Sequence, residues 1–169
     1  QRACVARYAR GRDYHRLMRT RLERLAGQIA RAAGAFRYRA FADSAPVLIW
    51  VAGSDKRCNY FNKAWLDFTG STLEQELGNG WTQSVHPDDL QRCSDVYAAS
   101  FDARRPFQME YRLKRHDGEY RWLIDHGVPR FLADGEFAGY IGSCFDITES
   151  RLAHDNLARQ AEDLTRSNA

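Results

Sequence analysis

The chain has 169 residues, of which 44% are apolar and 28% charged, and carries a net charge of +3. That is room for one ordinary globular domain, and too little for a regulatory domain plus a complete enzyme. No apolar run approaches the roughly 18 residues of a membrane helix, and the arginine-rich start lacks the hydrophobic block of a secretory signal. The charge is uneven. Residues 1–40 hold 11 Arg against Asp13 and Glu23, while the remainder of the chain is net acidic. A basic arm can meet nucleic acid or anionic lipid, but Tyr8 and Tyr14 alone offer stacking near it, so a solvated helix face is the preferred reading. The cysteines, Cys4, Cys58, Cys93 and Cys144, form no CxxC pair and no Cys/His cluster of zinc spacing. A reduced, cytoplasmic setting without a bound metal is expected. The start at Gln1 suggests a fragment of a larger protein.

In chain order, residues 14–40 read as a helix, with Met18, Leu22, Leu25, Ile29, Ala32 and Phe36 at alternating steps of four and three. Asp43–Pro46 breaks that pattern. Residues 47–52 form a short apolar run that fits a buried strand. Gly53–Asp55 supplies a turn, and 58–62 is its hairpin partner. Residues 63–70 make a short helix closed by Gly70. Ser71 or Thr72 can cap a second one. His86–Asp89 opens a longer helix, with Pro87 and two acids at its positive end, and that helix runs to about Ala103.

Three strands follow. In 107–114, Phe107, Met109, Tyr111 and Leu113 alternate with polar residues. After the His116–Gly118 turn, residues 119–130 set Tyr120, Trp122, Ile124 and Val128 on one face. Residues 137–147 are apolar on both faces, which predicts a strand inside the sheet. Thr148 starts a last helix, where Ala153, Leu157, Ala161 and Leu164 make a thin stripe that needs a partner. The expected fold is α+β: a five-stranded antiparallel sheet with short helices on one face and amphipathic helices at both ends. The terminal helices are the natural cover for the second face.

Five stretches in order resemble the PAS sensory family. They are Phe41–Pro46, Asn62–Gly70, Val85–Asp89, Tyr111–Leu123 and Gly139–Thr148. The resemblance implies a sheet cupping a small cavity over residues 41–148, between a basic arm (1–40) and a linker helix (149–169). It also implies a signalling module that senses a ligand, light or redox state and passes the result through its flanking helices. Asp146-Ile147-Thr148-Glu149 is similar to the family's exit signature. There Asp146 and Thr148 can cap the outgoing helix, and Leu157 and Leu164 would carry the signal onward. The tail at 164–169 is similar to linkers preceding the phosphoacceptor helices of sensor histidine kinases.

The same resemblance implies what the cavity does not hold. Flavin-binding members need a reactive Cys between the short helices, and 78–84 contains none. They hold the flavin edge with amides, and the matching positions are Leu113, Leu123 and Cys144. Haem members use a His on the longer helix, which has none. His86 reads as a cap residue, His116 as a turn residue, and His126 as a partner of Asp125 or Glu110. No flavin, haem or other cofactor is therefore expected. The candidate pocket is Trp50, Phe68, Met109, Tyr111, Leu113, Leu123 and Cys144, suited to a small apolar molecule, with simple core filling the preferred reading of the same residues.

No catalytic motif is present, and His154 lies in no phosphoacceptor run. The expected function is a sensory and homodimerising module, joined through its terminal helices, whose output is a histidine kinase beyond this chain. The alternatives are a cyclic-dinucleotide enzyme or transcription factor as output, or a purely dimerising module without a ligand.

Overall fold

The computed structural model describes residues 37–167, except for the side chains of 164, 165 and 167. Residues 37–43 are helical. The rest of the helix expected over 14–40, with its apolar seam, lies outside the described residues, as does the side chain of Leu164. The chain divides after Phe41 into two units, and the second, from Ala42 onward, contains the sheet.

Five strands form that sheet: β1 (Leu48–Ala52), β2 (Cys58–Phe61), β3 (Phe107–Lys114), β4 (Tyr120–Phe131) and β5 (Phe137–Asp146). Their order across the sheet is β2-β1-β5-β4-β3, with every neighbouring pair antiparallel. β5 is thus central, as its two apolar faces predict. On β3 the alternation holds residue by residue: Phe107, Met109, Tyr111 and Leu113 are buried.

The helices between β2 and β3 lie over the inner face. They are α1 (Lys63–Thr69), α2 (Leu73–Glu76), a 3-10 turn (Gly80–Ser84) and α3 (Pro87–Ala103). Local chemistry fixes each end. The buried Asn62 side chain caps α1 by accepting from Trp65 N, accepts also from Ile49 N, and donates to the carbonyls of Ala42 and Val47. All four of its hydrogen-bonding sites are filled, so one amide pins α1 to the start of β1. Gly70 ends α1 at φ 72°, a conformation that favours glycine. Thr72 and Gln75 form a reciprocal capping box on α2. At α3, His86 accepts from Asp88 N, and Asp89 takes the Arg112 guanidinium on both oxygens at 2.9 and 3.1 Å. That pair holds α3 against β3 and keeps the Asp89 carboxyl down at about 2.

The inner face packs Trp50, Phe101, Phe107 and Tyr140 into one aromatic cluster. Two glycines make this possible. A Cβ at Gly142 would sit 2.2 Å from the Trp50 ring, and one at Gly127 would sit 2.2 Å from Phe107. The two glycines are register partners, so they form a flat floor on which both rings lie.

α4 (Thr148–Ser167) leaves from the end of β5. Only its beginning touches the sheet: Arg151 lies 4.1 Å over the Trp122 ring and pairs with Glu110. The expectation that this helix covers the outer face is therefore corrected. The helix departs as a rod, and Val128 and Phe145 on that face stay exposed.

Candidate ligand cavity and exit junction

A cavity of about 20 Å³ lies between the sheet and the helical layer. That volume admits roughly one water-sized occupant. The sheet contributes Trp50, Cys58, Phe61, Met109, Tyr111 and Asp125 to its wall, and Trp65, Trp81 and Tyr97 from the helical layer complete it.

Of the residues expected there, Trp50, Met109 and Tyr111 are on the wall. Phe68, Leu113, Leu123 and Cys144 are in the core but not on it. The reason is position along the strands. Leu113 bridges to Val85, beyond the end of the cavity, and Leu123 sits beside Tyr111 in register, with Cys144 fully buried 3.7 Å from the Tyr111 hydroxyl. Phe68 is only partly buried, and its carbonyl accepts from His116 N.

Asp125 is not among the residues that the sequence alone singles out, yet a signal is there. It is in phase with Leu123 and Gly127 on β4, and all three are buried. A carboxyl at an inward strand position is uncommon enough to flag a site. It accepts from Trp50 Nε1 at 3.0 Å. Burial pushes it up to about 7, against the opposing hydrogen bonds of Trp50 and Cys144. His126 cannot be its partner, because successive side chains on a strand point to opposite faces. His126 lies on the outer side, edge-on to Phe145.

The thiols among the described residues are quiet. Burial pushes Cys58 up to about 12 and Cys93 to about 11, and lifts Cys144 well above its ordinary value. Thiols held protonated in this way are poor nucleophiles.

The exit junction is a second constellation. Arg121 on β4 pairs with Asp146 at 2.9 Å, Glu149 at 3.2 Å and Glu119 at 3.3 Å. Asp146 Oδ1 accepts from Thr148 N at 2.9 Å. Burial opposes the Asp146 charge, but the hydrogen bonds from Thr148 and Arg121 prevail and hold its carboxyl below the usual range. The Thr148 hydroxyl, expected to cap α4, instead accepts from Trp122 N at 2.8 Å. It extends the β4 hydrogen-bonding edge and so ties the first residue of α4 to the sheet. Leu157 is 66% exposed on the outgoing rod.

The PAS fold family model matches residues 59–144, just over half of the chain. The chain belongs to the PAS family. One curated relative is an uncharacterized protein, y4lL, of Sinorhizobium fredii, 50% identical over 117 residues, which are 69% of this chain and 14% of that protein. The peroxide stress-activated histidine kinase mak1 of Schizosaccharomyces pombe is 28% identical over 139 residues, 77% of this chain and 8% of the kinase. Among solved structures, a sensory box histidine kinase/response regulator from Burkholderia thailandensis shares 25% identity with a TM-score of 0.55, over 77% of this chain and 98% of that one. The PAS domain of a Colwellia psychrerythraea protein, at 22% identity and a TM-score of 0.56, shares the fold over 68% of this chain and 98% of its own.

A second family model, epoxyqueuosine reductase QueG, DUF1730, matches residues 1–44. The epoxyqueuosine reductase of Xanthomonas campestris pv. campestris is 65% identical over 135 residues, 70% of this chain and 38% of the reductase. The chain therefore spans well under half of each of these curated relatives. Phe41–Ser44, part of the first PAS-like stretch, falls in the reductase match, and the PAS match begins at Asn59.

Proposed function

We propose that this PAS domain is a relay. Occupancy of its core cavity biases β4 and β5, and α4 carries that bias to an output domain of the histidine kinase type. The observation that carries the reading is the exit junction. Arg121 and Trp122 on β4 hold Asp146, Thr148 and Glu149, so a displacement of β4 must either move α4 or break these contacts. Asp125, on the cavity wall, lies on the same strand three residues beyond Trp122. The kinase relatives support the type of output. The reading takes a basic arm over 1–40, a sensory domain over 41–148 and a linker helix over 149–169. The reading includes a homodimer through the terminal helices and no flavin or haem, the latter supported by leucines at 113 and 123 where the family's flavin binders carry amides.

A ligand acts as a switch only if it binds one state better than the other. The test is a fusion in which this chain replaces the PAS domain of a histidine kinase. Autophosphorylation is expected to respond to cavity-filling substitutions such as Cys58→Phe, and to lose that response when Thr148→Val is added. An unaltered response in the Thr148→Val background rejects the relay.

A further inference from the structure

We propose that the cavity is a site for a small organic cation of the alkylammonium class, with its charge on Asp125 and its alkyl part against the surrounding rings. This rests on the ligand-sensing reading and names the ligand class.

Three observations point to a cation. The first is the composition of the wall. Trp50, Phe61, Trp65, Trp81, Tyr97 and Tyr111 supply six aromatic rings, and Asp125 is the one ionisable carboxyl among the lining residues, with no Lys, Arg or His beside it. Aromatic faces attract cations through their quadrupole, most strongly where water is excluded. The second is that Asp125 is buried without a counter-ion. Its hydrogen-bond donors are neutral, the indole of Trp50 and the Cys144 thiol, so its carboxylate form lacks a compensating charge.

The third is the sign of the field. The charges of Asp125, Glu76 and Asp55 all act on the Cys58 thiol in the wall, and each disfavours its negative form. Asp55 and Asp125 do the same to the Tyr97 hydroxyl. Such a field disfavours anions, and a purely apolar occupant would offer Asp125 no charge partner. An ammonium group restores the charged carboxylate and pairs with it. At about 20 Å³ the closed cavity holds roughly one water-sized group, so an alkylammonium enters only as Trp81, half-buried on the 3-10 turn, gives way.

The remaining titratable groups around Asp125 are Tyr111, Cys144, Cys58, Cys93 and Tyr97, all raised and therefore neutral near pH 7. Proton exchange on binding thus belongs to Asp125.

The experiment follows the tryptophan indole N–H resonances of the whole chain during titration with ethylammonium, ethanol and acetate, which are similar in size and differ in charge. Ethylammonium is expected to saturate the Trp50 and Trp65 signals with at least tenfold tighter affinity than ethanol, and acetate to leave them unmoved. Asp125→Asn keeps an oxygen for the Trp50 N–H and is expected to lose at least tenfold of the ethylammonium affinity. In the wild type, calorimetry near pH 6.5 in buffers of different ionisation heat is expected to show protons released on binding. That readout stands even if the variant fails to fold. Equal affinity for ethanol, undiminished binding by Asp125→Asn, or binding without proton release overturns the assignment. Saturation by ethanol alone overturns the cation but keeps a ligand-binding cavity. Silence from all three compounds overturns the cation, and the kinase fusion, which uses none of them, then decides the relay.

Discussion

The indole N–H of Trp50 donates to Asp125 Oδ1 at 3.0 Å, joining β1 to β4 over the strand that separates them. β5 permits this because its residue between the two is Gly142, whose missing side chain leaves the ring its path. One hydrogen bond thereby spans three strands, beside the cavity and on the strand that holds the exit helix.

The coupling between these two side chains is measurable by a double-mutant cycle. Trp50→Phe leaves a buried carboxyl without its indole donor and with only the weak Cys144 thiol, at a cost of about 1–3 kcal/mol beyond any packing change. Asp125→Asn retains an acceptor oxygen and is expected to cost less. Urea denaturation of the two single variants and the double variant should give an interaction energy of roughly 0.5–3 kcal/mol. Additive losses would mean that the contact does not contribute to stability.

Two carboxyls set opposite pH dependences. Asp125 is raised to about 7 when folded, so the folded state holds its proton more tightly than the unfolded chain. Stability from this group is full below about pH 4 and falls as pH rises through its folded value. Asp89 is lowered to about 2, so its contribution is present above about pH 4 and is lost as pH falls toward 2. Urea midpoints are therefore expected to rise from pH 2 to 4 and decline from 4 to 7. Asp125→Asn should flatten the second limb alone, and Asp89→Asn should weaken the first, which the lowered carboxyls of Asp146 and Asp117 share. A second limb that persists in Asp125→Asn assigns it to another group.

Much of this was legible in the residues. The period-two alternation on β3 and the two-sided apolar character of β5 specify which side chains face inward and which strand is central. The caps at Gly70 and His86 mark helix ends that the structure retains. What periodicity does not encode is depth along a strand. Leu113 and Leu123 face inward as the pattern requires, but neither reaches the wall, although Leu123 is level with Tyr111. The wall contributed by Phe61, Trp65, Trp81 and Tyr97 comes from four separate elements whose juxtaposition depends on tertiary packing. Asp125 is visible as an inward-phased acid, but its neighbours Trp50 and Cys144 are remote in sequence and meet it only through the strand order.

The exit junction predicts where the outgoing helix loosens. Arg121→Gln removes a charge that serves Asp146, Glu149 and Glu119 together, and Thr148→Val removes the acceptor for Trp122 N. Amide exchange in the first two turns of α4 is expected to quicken by about tenfold or more in either variant, which corresponds to about 1.4 kcal/mol or more. Protection in β1 and β2 should stay near the wild-type level. Faster exchange spread evenly over the sheet would instead indicate global destabilisation and reject a local junction.

α4 must find a partner or fray. From Glu149 to Asp163 every residue is exposed, and Ala153, Leu157 and Ala161 recur at steps of four along one side. A lone helix of this length is marginal in water, and a single apolar stripe gains burial only by meeting another stripe. A second copy of the same helix offers one. Leu157→Asp places a charge in the middle of that seam, where an unpaired buried charge is strongly unfavourable. Light scattering of the wild type is expected to give a dimer mass, and Leu157→Asp a monomer mass, with the near-ultraviolet spectrum of the sheet domain unchanged. Identical masses for the two proteins would remove α4 from the interface and leave the exposed sheet face at Val128 and Phe145 as the surface to probe next.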